Sequence, residues 1–173
     1  MKPMMIVLIV LFLSVTGSFA QIDYDKKLKD LKIELFKPAA PVANYVKTVR
    51  VGNLIFLAGH GPTKADGSNI TGKVGKDLTM EQAYMAANQT AVSILSTLKT
   101  EIGDFNKVKR VVKVLGMVNC TADFTDHSKV INGFSDLIVS VFGEKGLHAR
   151  SAVGMSSLPM NIAVEVEMIV EVE

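Results

Sequence analysis

Two charged residues, Arg150 and Glu165, lie in sequence surroundings that suit them to bind a carboxylate and to transfer protons. Arg150 lies among small residues in the segment 146–153. An arginine that enters a strand directly from a loop can grip a carboxylate with two parallel N–H groups. Glu165 lies between Val164 and Val166 in an apolar pattern. We expect it to be partly desolvated, which would raise its pKa and suit it to exchanging protons with a water molecule.

Each of these features also has an ordinary structural interpretation. Arg150 could form a surface or interface salt bridge, and Glu165 could be one of several glutamates on the solvated side of an edge strand. The glycine-rich stretch at residues 59–62 lacks the spacing and the lysine of a phosphate-binding loop, so a strained turn after a strand accounts for it. The residues alone leave both interpretations open.

Residue counts argue against several classes of function. The 173 residues include 19 Lys+Arg and 17 Asp+Glu, and a net charge of +2 makes nucleic acid a poor default partner. The three histidines, His60, His127 and His148, are widely spaced and form no sequence-local zinc-ligand pattern, so we expect no metal centre. The only cysteine, Cys120, cannot form an internal disulfide and is expected to be a small buried residue.

Residues 1–20 have the pattern of a cleaved secretory signal. Lys2 is followed by an apolar run over residues 4–13, and Ser18 and Ala20 are small residues at the expected cleavage positions. The run is shorter than the roughly 20 residues that span a bilayer, so we expect export to the periplasm or the medium, with no membrane anchor after cleavage. Residues 21–40 then form an N-terminal helix and arm, and residues 41–173 form one domain.

The rest of the chain alternates strand and helix patterns. Strands are predicted at 45–51, 54–58, 107–120, 151–156 and 162–172, and helices at 80–101 and 125–142. Thr79 and Gln82 have the spacing of a capping box at the start of the first long helix. This order predicts an α+β fold, a mixed β-sheet with two helices packed on one face. The other face mixes apolar and polar residues, so we expect it to be covered by self-association.

A series of short motifs from residue 40 onward resembles a known family in order and spacing. The motifs are Tyr45-Val46, Gly52-Asn53, Gly59-x-x-Pro62, Asn132 in the second helix, Ala149-Arg150-Ser151-x-Val153, Leu158-Pro159 and Val164-Glu165-Val166-Glu167. They resemble the YjgF/YER057c/UK114 family, which includes the RidA-like deaminases. The most specific of them is the Ala-Arg-Ser element, fifteen positions before the glutamate of the last strand.

The resemblance implies a chorismate-mutase-like fold and a homotrimer with a small-molecule cleft between adjacent subunits. RidA-like members hydrolyse 2-imino or enamine acids to 2-keto acids and ammonia in that cleft, without a metal or cofactor. By similarity, Arg150 would hold the substrate carboxylate and Glu165 would hold the attacking water. The other cleft positions that it implies are the side chains of Tyr45 and Asn132 and the backbones of Gly59 and Ala152.

The sequence also departs from the deaminase pattern. Ala58 replaces a residue that is usually polar, Ala152 stands where deaminases often have cysteine, and about three extra residues precede Asn132. These departures indicate a divergent, exported branch and keep a second hypothesis open, a non-catalytic trimer that binds a small carboxylate metabolite. Endoribonuclease activity, also associated with the family, is disfavoured because a nearly neutral chain without a basic stripe is poorly equipped for RNA.

Overall fold

The computed structural model of the protein describes residues 21–41 and 43–173, so the predicted signal segment lies outside it. The helices are α1 (Tyr24–Asp30), α2 (Met80–Ile102) and α3 (His127–Phe142). The strands are β1 (Thr48–Val51), β2 (Leu54–His60), β3 (Val108–Asn119), β4 (Ala149–Met155) and β5 (Val164–Val172). Short 3-10 turns lie at Phe105–Lys107, Gly143–Gly146 and Pro159–Asn161. No helix among the described residues is long and apolar enough to cross a membrane.

The five strands form one sheet in the order β1-β2-β5-β3-β4. Neighbouring strands are antiparallel except β3 and β4, which run parallel, so the sheet is mixed. Helix α2 packs across β2 and β5, and α3 packs across β3 and β4. The side chains of β5 that alternate toward these helices are fully or almost fully buried: Val164, Val166, Met168, Val170 and Val172. The predicted α+β fold, with two helices on one face of a mixed sheet, is confirmed.

Helix α2 begins and packs largely as its sequence predicts. Thr79 accepts a hydrogen bond from the Gln82 backbone at 3.2 Å, and the Gln82 side chain accepts one from the Thr79 backbone at 2.9 Å, so the capping box is present. The alanines of its first half, Ala83, Ala86, Ala87 and Ala91, are fully buried and let another backbone approach closely. The structure also brings α3 close to this half, since a Cβ on Gly133 would lie 2.1 Å from the Tyr84 carbonyl oxygen. Glycine is required there because any side chain would push the two helices apart.

Some boundaries differ from those predicted, because strand pairing rather than local sequence decides them. β1 begins at Thr48, where pairing with Leu57 starts, three residues later than expected. β4 begins at Ala149 instead of 151, because it pairs with β3 from Lys113 onward. Arg150 therefore lies within a paired strand. β5 begins two residues late, since the 3-10 turn Pro159–Asn161 precedes it.

The sheet face opposite the helices carries exposed apolar side chains. Val49 is paired with Phe56, Phe56 with Ile169 and Ile169 with Lys113, so these four side chains form one row across that face. Val49 is 51% exposed and Phe56 is 41% exposed. We call this surface the open face.

Candidate functional site

Arg150 is held in place by helix α3. It is opposite the buried Val114 in the β3–β4 pair and therefore faces the helices. Its Nη1 donates to Asn132 Oδ1 at 3.0 Å and to Ser135 Oγ at 2.9 Å, and its Nη2 donates to the Ser128 carbonyl at 3.4 Å. The ion pairs among the described residues do not include Arg150, so the salt-bridge interpretation finds no support within one chain.

The Glu165 carboxyl lies directly against the main chain of Gly59. A Cβ added to Gly59 would lie 2.0 Å from Glu165 Oε1, so only glycine leaves room for the carboxyl in this position. Burial raises the pKa of Glu165, and the nearby Glu167 carboxylate raises it further. No hydrogen bond or ion pair between side chains in the described part of the chain uses the Glu165 carboxyl. The fold thus provides a partly desolvated carboxyl, as the sequence suggested.

Within one chain, Arg150 and Glu165 lie on opposite faces of the sheet. Val164 and Val166 are buried against the helices. Glu165 between them therefore points to the open face, beside Met117 of β3. Arg150 points to the helix side. A single chain does not bring the two groups into one cleft.

Five of the six predicted site residues divide between the two faces of the sheet. The arginine half-site on the helix side comprises Asn132, Arg150 and Ala152, and the glutamate half-site on the open face comprises Gly59 and Glu165. Ala152 follows Arg150 on the edge strand β4 and is partly buried against the core. Tyr45 is 48% exposed and lies before β1, where a bond from the Ala58 amide to the Lys47 carbonyl extends the β1–β2 pairing toward it.

The two histidines that could have been metal ligands are engaged in hydrogen bonds. His60 Nδ1 donates to the Ala58 carbonyl at 2.6 Å, and its Nε2 lies 2.8 Å from Thr97 Oγ1. His148 Nε2 lies 3.0 Å from Ser135 Oγ. Burial lowers the pKa of both rings, which favours their neutral form. The described residues contain no group of three or more His, Cys, Asp or Glu that could hold a metal ion.

Cys120 is buried, as its apolar segment predicted. Its Sγ lies 3.4 Å from His127 Nε2. Burial raises the pKa of the thiol, and a protonated thiol is a poor nucleophile. This environment is that of a structural cysteine.

Sequence reasoning missed two side chains that hold Arg150 in place. Ser135 contacts the guanidinium directly, and His148 contacts Ser135. The signal for Ser135 was its position three residues after Asn132, which places both on the same face of α3. The signal for His148 was its position two residues before Arg150, which places both side chains on the same side of an extended chain.

Comparisons with known proteins identify the family. The sequence model described as "YjgF/chorismate_mutase-like, putative endoribonuclease" matches residues 25–172. The chain therefore belongs to the YjgF/chorismate mutase-like family, as its motifs indicated. This confirms the resemblance and the chorismate-mutase-like fold.

Individual relatives cover most of the chain. Protein TCP17 of Trypanosoma cruzi is 44% identical over 145 residues, which are 83% of this chain and 91% of that protein. The 2-iminobutanoate/2-iminopropanoate deaminase of Dermatophagoides farinae is 31% identical over 134 residues, 77% of this chain and 89% of that protein. The crystal structure of Atu1372 from Agrobacterium tumefaciens, of unknown function, matches with a TM-score of 0.80 at 42% identity, covering 87% of this chain and 93% of that one.

Proposed function

We propose that this protein hydrolyses small 2-imino or enamine acids to 2-keto acids and ammonia, at a site shared between two copies of the chain. One observation carries the proposal. The fold fixes a guanidinium on one face of the sheet and a partly buried carboxyl on the other, and neither is used to neutralise the other. The similarity to a protein named as a deaminase supports the same activity.

The chemistry needs only these two groups and water. Arg150 binds the substrate carboxylate and so positions the C=N bond. Glu165 takes a proton from a water molecule as the water oxygen adds to C2, and it returns that proton to the nitrogen. The proton of the new C2 hydroxyl then passes to the nitrogen through Glu165 as the C2–N bond breaks, so the products are the 2-keto acid and ammonia. The raised pKa of Glu165 suits a group that must both accept and return a proton near neutral pH.

The surface of the chain supports a shared site. β4 is an edge strand, and its Val153 and Met155, on the open face, are 39% and 36% exposed. Together with Val49 and Phe56 they form apolar surface that a lone domain would leave in water. We propose a homotrimer in which the arginine half-site of each copy meets the glutamate half-site of the next, a ring of identical head-to-tail contacts.

The activity is tested by pyruvate formation. The purified protein is mixed with a lyase that releases 2-aminoacrylate, and its rate is compared with buffer and with Arg150→Ala and Glu165→Gln. We expect acceleration by the wild type and a loss of about 10²-fold or more in either variant. A wild-type rate equal to that of buffer would refute the proposed activity for this substrate.

The shared site is tested by mixing the two inactive variants. When Arg150→Ala and Glu165→Gln chains are co-expressed, random trimers carry about one quarter of their sites with both residues intact, one from each copy. Activity should therefore return to about a quarter of the wild-type level. A site built within one chain would give no recovery, because each chain lacks one of the two residues.

The alternative function, binding of a small carboxylate without catalysis, is favoured by one observation: α3 and β4 of a single chain complete the arginine half-site. A non-catalytic protein that binds a small carboxylate needs no more than this. Calorimetric titration with 2-ketobutyrate separates the two functions. Binding that persists in Glu165→Gln, with no turnover by the wild type, would favour the binding protein.

A further inference from the structure

The Ser135 hydroxyl lies between the His148 ring and the Arg150 guanidinium. His148 Nδ1 is 2.6 Å from the Gly146 carbonyl, which can only accept, so Nδ1 carries the proton in the neutral ring. Nε2 then accepts from the Ser135 hydroxyl at 3.0 Å. The Ser135 oxygen in turn accepts from Arg150 Nη1 at 2.9 Å. The donor and the acceptor are thus fixed in each hydrogen bond that links Gly146, His148, Ser135 and Arg150.

These contacts determine which edge of the Arg150 guanidinium is left for a ligand. Both Nη1 hydrogens are used, one by Asn132 and one by Ser135, and one Nη2 hydrogen points to the Ser128 carbonyl. In the described part of the chain, Nε donates to no group. Nε–H and the remaining Nη2–H point the same way and match the two oxygens of a carboxylate.

A cavity adjoins this network. It measures about 560 Å³ and is lined by Ser135, Asp136, Val139, Ser140, Leu147, His148 and Arg150. Ser135 and His148 thus lie both in the wall of the cavity and in the support of the guanidinium. A ligand on Arg150 would therefore be linked to His148 through the guanidinium and the Ser135 hydroxyl.

We infer that Ser135 and His148 are positioning residues that hold Arg150 with its Nε/Nη2 edge open to a ligand carboxylate, and that this network couples carboxylate binding to proton uptake by His148. The inference rests on the carboxylate-binding part of the proposed function. It adds the two side chains that set the geometry and a pH dependence that acts through His148, separate from any that the Glu165 carboxyl contributes.

The sign of the coupling follows from the charges on the surrounding elements. Arg150 on β4 opposes protonation of His148, and Asp136 on α3 lines the same cavity. On the preceding 3-10 turn, Glu144 is exposed to solvent, and Lys145 donates to a main-chain carbonyl at the start of β3. A bound carboxylate offsets the charge of Arg150. It therefore favours the protonated ring, and by reciprocity a protonated ring tightens carboxylate binding.

The first test needs no ligand. Nuclear magnetic resonance of ring-labelled full-length protein follows the titration of His148 and His60. In Arg150→Ala, the pKa of His148 should rise because a repelling charge is gone, and in Ser135→Ala it should change because Nε2 loses its donor. His60, which is bonded to Ala58 and Thr97, serves as the internal control and should not respond. If the His148 titration is the same in the wild type and both variants, the network does not exist and the inference fails.

The second test measures binding of 2-ketobutyrate between pH 8 and pH 5. Wild-type affinity should rise by about 5-fold as the pH falls, at the lower end of the usual coupling between sites. In a Glu165→Gln background, which removes the other titrating carboxyl, His148→Gln should bind with little pH dependence. Ser135→Ala should weaken binding by about 10-fold or more, as expected for the loss of one hydrogen bond to a charged group, and Ser135→Thr should restore it.

The outcomes separate this inference from the proposed function. If the wild type binds the keto acid but His148→Gln keeps the same pH profile, the coupling is refuted and the proposed function stands. If the wild type binds no keto acid at any pH, both the proposed function and the carboxylate part of the inference are refuted.

Discussion

Substitution of Gly59 by alanine should displace the Glu165 carboxyl while leaving the stability of the fold almost unchanged. The Cβ of Gly59→Ala would lie 2.0 Å from Glu165 Oε1, 2.9 Å from its Cδ and 3.1 Å from its Cγ. Real Cβ contacts essentially never fall below 3.0 Å, so Oε1 must move by at least about 1 Å. The moving atoms are the end of a flexible, partly exposed side chain, so the backbone need not shift.

The expected effect on catalysis is large and the effect on stability is small. A misplacement of 1 Å in a reacting group can cost about 10²-fold in rate, so we expect a loss of that size in pyruvate formation. The free energy of unfolding should change by less than about 1 kcal/mol, since substitutions outside the core usually do little. For a domain of this size, the melting temperature would then shift by no more than about 4 °C.

Gly61→Ala, two residues further along and just past the end of β2, provides a matched control. Its Cβ meets Ile162 Cδ1 at 3.0 Å and has no contact with Glu165, while the change in backbone freedom is the same. We expect it to keep most of the activity. If Gly59→Ala retains activity within about 3-fold of the wild type while Glu165→Gln does not, the argument from the carboxyl position is refuted. Equal losses in the two alanine variants would also refute it.

Three further outcomes follow from other parts of the structure. Phe56→Glu places a charge on the open face and should shift the protein toward the monomer in light scattering; an unchanged mass would show that this face is not the contact. Gly133→Ala, whose Cβ would lie 2.1 Å from the Tyr84 carbonyl, should lower the free energy of unfolding in urea by about 1–3 kcal/mol, and an unaltered midpoint would contradict the close helix contact. Burial lowers the pKa of His60, so the unfolded chain binds its proton more tightly and stability should fall as the pH drops from about 7 to 5. His60→Gln should reduce that slope, and an equal slope would contradict the reasoning.

Much of the fold could be predicted because local patterns determine it. The capping box at Thr79 and the alternation along β5 depend only on neighbouring residues, and both are confirmed. The start of β4 was missed because it depends on pairing with β3, which is more than 30 residues away in the chain. Arg150 was singled out from its sequence neighbours, but two of the three groups that hold it are the α3 side chains Asn132 and Ser135, which local sequence did not indicate as its partners. Contacts of this kind depend on register between elements, which periodicity does not reveal.

The division of the site into two half-sites is a consequence of strand geometry. Side chains alternate between the two faces of a sheet, so the faces reached by Arg150 and Glu165 are decided once each strand has its register. The core fixes that register, because Val164 and Val166 on β5 must face the helices. A one-residue shift of β5 that turned Glu165 toward the helices would turn its buried side chains, Val164 and Val166 among them, toward the open face and expose them to water. A single copy therefore cannot move its carboxyl toward its own Arg150 without unfolding the core, which is why the proposed activity assigns the two groups of each site to two copies.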